Sequence, residues 1–341
     1  SIQQHRLTLA RAQEEQDQFW VLRMMAEELR HGYQMLSILL NDYWKSVVGQ
    51  TGEDMVEEIL SMKSGTHVLG AFNIDFDSFV DNIVFCNLID RVGKYQLTMQ
   101  KVSAYRPMAE SMGPMLREEA FHLAAGVIPM RRWMQEAARG EVQVTVDAMQ
   151  RAINKWLPRG LEMFGDERGG ASNIKMGFKD KTNQEALDLY YQEVAKMIGD
   201  LNTRFLRERF PNDTPEQTDQ KQKQLLDGTS IESLTRDDML KPPHVKFFRR
   251  RGMYAYQMFD VEGRPMDNFE AYKRHLVQTL PQAYLANKDF STYLGLMKQV
   301  AAGELSSDEA QMRAPRLSRV GGSCPCSNAV RWIQPEASEV A

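Results

Sequence analysis

Residues 24–36 read Met-Met-Ala-Glu-Glu-Leu-Arg-His-Gly-Tyr-Gln-Met-Leu, and residues 115–123 read Met-Leu-Arg-Glu-Glu-Ala-Phe-His-Leu. Each stretch contains Glu-x-x-His: Glu28 with His31, and Glu119 with His122. On an α-helix, side chains three residues apart leave from one face, so a carboxylate and an imidazole at this spacing can share a metal. One such motif arises by chance, and satisfied bundle histidines beside surface glutamates account for it well. Here both motifs sit in apolar stripes: Met24, Met25, Met35 and Leu36 around the first, Met115, Leu116 and Leu123 around the second. Ionised carboxylates on a buried face are costly unless paired or metal-bound. Two motifs in matching positions therefore favour the metal reading.

Outward from the motifs, the spacing predicts long helices. From Thr8, a plausible N-cap, to Val48 there is no proline, and Gly32 is the sole glycine. Trp20, Met24, Glu28, His31, Met35, Leu39 and Tyr43 follow steps of three and four. Gly49 ends the pattern. A shorter helix is expected from Glu53 to Met62, then a crossover loop from Ser64 to Asn73. A second long pattern runs from Phe76 to Ala104. After Pro107 another helix, starting at Met108 or Pro114, continues towards Trp133, with Gly126 or Pro129 as sites of a kink. Two long helical units joined by a crossover predict an all-α, ferritin-like four-helix bundle with additional helices and an irregular C-terminal part.

The expected organisation is a bundle over 1–135, a mainly helical extension over 136–290 and a partly irregular segment over 291–341. Within the extension, helices are expected at Val144–Leu157 and Asn183–Arg209, with a glycine-rich loop from Gly165 to Lys181 between them. Residues 210–246 are polar and carry Pro211, Pro215, Pro242 and Pro243, which reads as a surface excursion. The aromatic and arginine-rich stretch from Phe247 to Asp260 suggests a short strand or hairpin.

A bundle holding two metals needs one further carboxylate from each remaining helix. Asp90 precedes Glu119 by 29 residues, and the midpoint falls just before the Arg106-Pro107 turn. Arms of equal length bring Asp90 level with Glu119. Asp90 lies among Val84, Phe85, Leu88 and Ile89, which favours a ligand over a residue merely paired with Arg91. The same arithmetic from Glu28 points just ahead of Ser1. Glu14 and Glu15 do not substitute, because they lie about 20 Å from Glu28 along the same helix. A sixth ligand upstream of Ser1 is the expectation, with the chain lacking its natural beginning. Carboxylate oxygens with two imidazoles suit iron or manganese, and also zinc.

The 341 residues are 43% hydrophobic with a formal net charge of −4. That balance gives no general attraction to nucleic acid or anionic lipid. No apolar run is long enough for a membrane span, and no signal peptide is visible. Three cysteines, Cys86, Cys324 and Cys326, cannot build a disulfide framework, so a reducing, cytoplasmic setting is expected.

Several stretches also carry a resemblance. Leu69-Gly70-Ala71-Phe72-Asn73, Asp90-Arg91-Val92-Gly93-Lys94-Tyr95-Gln96-Leu97, Leu116 to His122, Met163 to Asn173, Lys246 to Gly252 and Asp260 to Arg264 are similar to the di-iron epoxidase components that act on benzoyl-coenzyme A. The broader group includes the phenylacetyl-coenzyme A oxygenases. The likeness covers roughly residues 1 to 285. Leu29 stands where the family pattern has glycine, and the Cys324-Pro325-Cys326 tail has no family counterpart.

The resemblance implies that Glu28, His31, Asp90, Glu119 and His122 bind two iron ions. It implies a monooxygenase of aromatic degradation that epoxidises the ring of benzoyl-CoA with O2, taking electrons from a separate flavin and iron–sulfur NADPH reductase. Met24, Phe85 and Phe121 are candidates to line the site. Candidate contacts to the CoA phosphates are Lys179, Lys181, Arg249, Arg250 and Arg251, although a solvated basic face is the ordinary reading of such clusters. Another aryl- or acyl-CoA oxygenase and a non-catalytic metal-binding scaffold are the alternatives. Iron storage fits less well, since ferritins lack the long extension. The oligomeric state stays open between monomer and homodimer.

Overall fold

The computed structural model describes residues 1–40, 44–61, 69–141, 143–165 and 172–241. Beyond these it describes 258–259, 265–266, 295–296, 302–306, 312–313, 299 and 309. Two compact units are present, one of Ser1–Ser61 with Asp75–Pro242, the other of Met62–Ile74 with Pro243–Ala341.

The first unit is all-α. Its helices are α1 (Ile2–Thr8), α2 (Glu15–Leu39), α3 (Trp44–Val48), α4 (Gly52–Ser61), α5 (Phe79–Gln100), α6 (Arg106–Arg139), α7 (Val146–Met163), α8 (Ser172–Lys175), α9 (Asn183–Arg209) and α10 (Pro215–Leu226). Four of them form a ferritin-like bundle. In α5 and α6, Asn87 faces Gly126 while Gly93 faces Glu119, so the two helices run antiparallel. In α2 and α6, Asp17 pairs with Arg132, Glu27 with His122 and Arg30 with Glu118, again antiparallel. His5 meets Asn82, and Arg11 reaches the Asp77 carbonyl, so α1 runs antiparallel to α5. It follows that α2 and α5 are parallel, and a long crossover must join them.

The start of the first helix differs from the sequence expectation. Thr8 ends α1 instead of capping a helix that continues to Val48, and a turn of 3-10 helix at Leu9–Arg11 leads to α2. Neither glycine nor proline marks this break. Tertiary bonds hold it: Asn82 Nδ2 donates to Thr8 Oγ1 at 3.1 Å, and Trp133 Nε1 donates to Gln13 Oε1 at 3.1 Å.

Helix α5 is the centre of the unit. Ser78 caps it by accepting from the Asp81 backbone N–H at 3.2 Å. Every residue from Ile83 to Val92 is buried, because α6, α7, α9 and α1 pack around it. Helix α6 is longer than expected at both ends. Pro107 lies in its first turn, where no N–H is needed, and Gly140 terminates it at φ 80°. Pro114 and Pro129 both fall inside it.

Residues 210–241, expected as a polar excursion, contain α10. Thr214 and Gln217 form a capping box around Pro215, and Thr218 and Leu225 are buried against α9. In the second unit, Met258–Phe259 (β1) pairs antiparallel with Pro265–Met266 (β2). That strand pair begins within the stretch where a hairpin is expected. The tail after Ala314 lies outside the described residues.

Candidate metal centre

Helices α2 and α6 each contribute one Glu-x-x-His face, and α5 supplies Asp90. One ligand atom each from Glu28, Glu119 and His122 lies within 4.8 Å of the others. His122 Nδ1 is 3.5 Å from Glu28 Oε1 and 3.7 Å from Glu119 Oε2. His31 Nδ1 is likewise 3.5 Å from Glu28 Oε1, and the two imidazole centroids are 5.7 Å apart. Gly93, three residues after Asp90 on the same face of α5, gives Glu119 room: a Cβ there would sit 3.3 Å from Glu119 Oε1. Five residues singled out in the sequence, Glu28, His31, Asp90, Glu119 and His122, therefore converge on one region of the bundle interior.

The electrostatics describe a pocket short of positive charge. Burial pushes the Asp90 carboxyl well above its ordinary range, and the neighbouring Glu28 and Glu119 charges push it further. Burial likewise raises Glu119. Glu28 goes down: burial opposes its charge, but the bond to His31 and the charges of both histidines outweigh it. His122 is pushed up to about 9, since burial is overcome by Glu119, Asp90 and Glu28. His31 is raised for the same reason, by Glu28 and Glu118 against burial. Three carboxylates, Asp90 and Glu119 buried and Glu28 half-buried, thus draw protons onto the imidazoles of His31 and His122.

Asp90 Oδ2, Glu119 Oε2 and His122 Nδ1 are buried and make no hydrogen bond. Buried polar atoms are normally satisfied, and three orphans from two neighbouring helices, within one electrostatically coupled cluster, need a partner. A cation with oxygen and nitrogen ligands meets that need, and the donor set suits iron or manganese.

Two further residues of the site were not read from the sequence. His122 Nε2 donates to Glu27 Oε2 at 3.0 Å, and His31 Nε2 donates to Glu118 Oε2 at 2.7 Å. Each histidine is thereby held by the glutamate preceding the opposite motif. The bond at Nε2 leaves each Nδ1 facing the carboxylates. The signal was present as tandem glutamates, Glu27-Glu28 and Glu118-Glu119. Neighbours on a helix point about 100° apart. One of each pair enters the interior while the other reaches across the α2–α6 seam.

The remaining candidates lie elsewhere. Lys179 donates to Asn183 Oδ1 at 2.7 Å and Lys181 pairs with Asp180 at 2.6 Å, both at the start of α9. Arg249, Arg250 and Arg251 lie outside the described residues. Met24 and Phe85 are fully buried. Phe121 is half-buried, with the Arg23 guanidinium 3.8 Å from its ring centre and Trp20 at its edge. It faces the α2–α6 seam because it neighbours His122 on the helix and so points away from the cluster.

Among the described residues, no helix is long and apolar enough to cross a membrane. A stretch of 119 residues is 31% identical to "Benzoyl-CoA oxygenase component B" of Aromatoleum evansii, covering 34% of this chain and 24% of that protein. The match thus spans about a quarter of that relative's length. Residues 21–227, which hold both Glu-x-x-His motifs, Asp90 and both outer glutamates, match the family model described as "Phenylacetic acid catabolic protein". More than half of the chain lies within that match, and the chain belongs to this family.

Proposed function

We propose that the protein is the oxygenase subunit of a di-iron monooxygenase acting on an aryl-CoA thioester, with benzoyl-CoA as substrate and ring epoxidation as reaction. The observation that carries this reading is the convergence of Glu28, Asp90, Glu119 and His122 on one buried, cation-deficient space. Family membership supports oxygenase chemistry, and the partial relative is named an oxygenase component. The "component B" in that name belongs to a multi-part system, in keeping with electrons arriving from a separate reductase.

In this reading Glu28, His31, Asp90, Glu119 and His122 hold the iron pair. When bound, the irons supply the activation of dioxygen with two external electrons. The chain's own groups set the conditions. Glu27 and Glu118 fix the histidine tautomers and ring orientations. Met24, Phe85 and Met115, all buried, exclude water from the interior. Lys179 and Lys181 are retained as candidate phosphate contacts.

The test is metal content per chain, followed by oxygen uptake after reduction, with and without benzoyl-CoA. About two irons per chain, with oxygen consumed in the presence of benzoyl-CoA, is the expected result. Uptake with phenylacetyl-CoA or another acyl-CoA but not benzoyl-CoA moves the substrate within the group. A Glu119→Ala chain that keeps its fold and its full iron content overturns the ligand assignment.

A further inference from the structure

A glycine inside a helix needs an explanation, because alanine at the same place costs the folded chain less. Gly93 lies inside α5 with ordinary right-handed backbone, so no left-handed turn calls for it. Its explanation is what it faces. A Cβ built there would sit 3.3 Å from Glu119 Oε1, 3.5 Å from Glu119 Cδ and 3.6 Å from Glu119 Oε2. Those are its nearest atoms, and together they are one carboxyl group. Among the described glycines no other would touch a residue of the metal cluster. Gly126 faces the Asn87 backbone, Gly160 the Tyr190 hydroxyl and Gly199 the Gln222 amide.

The distances also give the orientation. Nearly equal separations from three coplanar atoms place the Cβ position over the flat face of the carboxylate, not at its edge. The lone pairs of such a group lie in its plane. The α5 backbone therefore supports the face of Glu119 and leaves its edges free to ligate. Glu119 Oε2 makes no hydrogen bond, so its placement in the chain alone rests on packing.

One added carbon acts differently in the two states of the site. Non-bonded carbons settle at about 3.5–4.0 Å, and at 3.3 Å the carboxylate must give by a few tenths of an ångström. Without metal, it is the free end of a flexible side chain and can give. With metal, ligand distances hold within about 0.2 Å, so it cannot. The same methyl group should thus stabilise the metal-free helix and weaken the metal-bound site.

We infer that Gly93 is a positioning residue of the metal centre, its missing side chain setting the plane in which Glu119 presents its carboxylate to the metal. This rests on the reading of Glu119 as a ligand.

The test compares Gly93→Ala with Gly199→Ala, a control inside another helix, and with Glu119→Ala. Thermal unfolding of the metal-free chains gives stability, and anaerobic competition with a chelator gives iron(II) affinity. Gly93→Ala should unfold at or above the native temperature without metal, yet bind iron(II) about 10-fold more weakly, the lower end of the cost of disturbing a ligand's support. Gly199→Ala should gain stability and keep native affinity. Cobalt(II) in place of iron reports ligand geometry: its visible bands should be displaced in Gly93→Ala and native in Gly199→Ala. Native iron affinity with native cobalt bands in Gly93→Ala overturns the proposal. So does a fall in its metal-free stability, which would mark Gly93 as a residue of backbone packing. Glu119→Ala keeps the two readings apart. Iron lost there, with native affinity in Gly93→Ala, removes the positioning role alone, whereas full iron there removes the ligand assignment and the positioning role with it.

Discussion

Glu27 and Glu118 lie on opposite helices, yet each holds the histidine of the other motif. Removing the charge without the volume separates their two possible contributions, packing and orientation. Glu27→Gln and Glu118→Gln should each lower metal affinity about 10- to 100-fold, the usual cost of losing a partner behind a ligating histidine. Competition with a chelator measures it, and circular dichroism should show an unchanged fold. The ligands themselves were legible in the sequence because three-residue spacing on a helix converts directly into a shared face. Their partners were not, because a contact across the α2–α6 seam depends on the rotation of two helices about their axes. A second residue-scale consequence concerns His5. Its Nδ1 donates to Asn82 Oδ1 at 2.7 Å, and burial lowers it to about 4. The unfolded chain takes up this proton near pH 6.5 and the folded chain only near 4, so stability falls as pH drops through that window. The loss is on the order of 3 kcal/mol for this group. Urea unfolding at pH 4.5 and 7 should show a larger difference for the native chain than for His5→Gln.

Glycines distinguish the helices from one another. On α6, a Cβ at Gly126 would lie 2.5 Å from the Asn87 backbone nitrogen and 2.7 Å from its Cα, so two backbones meet there. On α9, a Cβ at Gly199 would meet only Gln222 Nε2, at an ordinary 3.6 Å. Gly126→Ala should therefore destabilise by several kcal/mol, as overpacking does when backbone must shift. Gly199→Ala should stabilise by roughly 0.5–1 kcal/mol through helix propensity. Denaturant midpoints decide both. The α5–α6 hairpin was readable in advance because Pro107 marks the start of its second arm, but the register was not: Gly93, three residues after Asp90, is the residue that faces Glu119. The break between α1 and α2 was not, since the bonds of Thr8 and Gln13 that hold it come from α5 and α6. Helix α10 was hidden differently. Its residues are polar enough to resemble a loop, and its signature was the Thr214-Pro215-x-Gln217 cap.

At the scale of the whole unit, the ligands come from helices with very different surroundings. Asp90 stands on α5, enclosed by α1, α6, α7 and α9, whereas α2 packs mainly against α6, α1 and α4 and leaves one side to solvent. The sequence shows both helices as apolar stretches of similar length. What encloses α5 is the extension beyond the bundle, and within residues 79–100 the run Ile83-Val84-Phe85-Cys86 with Leu88-Ile89, apolar on every side of the helix, is the mark of it. Local stability should follow enclosure, with α5 amides exchanging only on global unfolding and α2 amides exchanging faster, through opening of that helix alone. Hydrogen exchange followed by mass spectrometry resolves the two. Three of the five site residues are then carried by a permanent wall and two by a door. Each opening of α2 withdraws Glu28 and His31 together while Asp90, Glu119 and His122 stay in place. The rate at which a bound metal escapes should match the exchange rate of α2 and exceed the rate at which the fold as a whole comes apart.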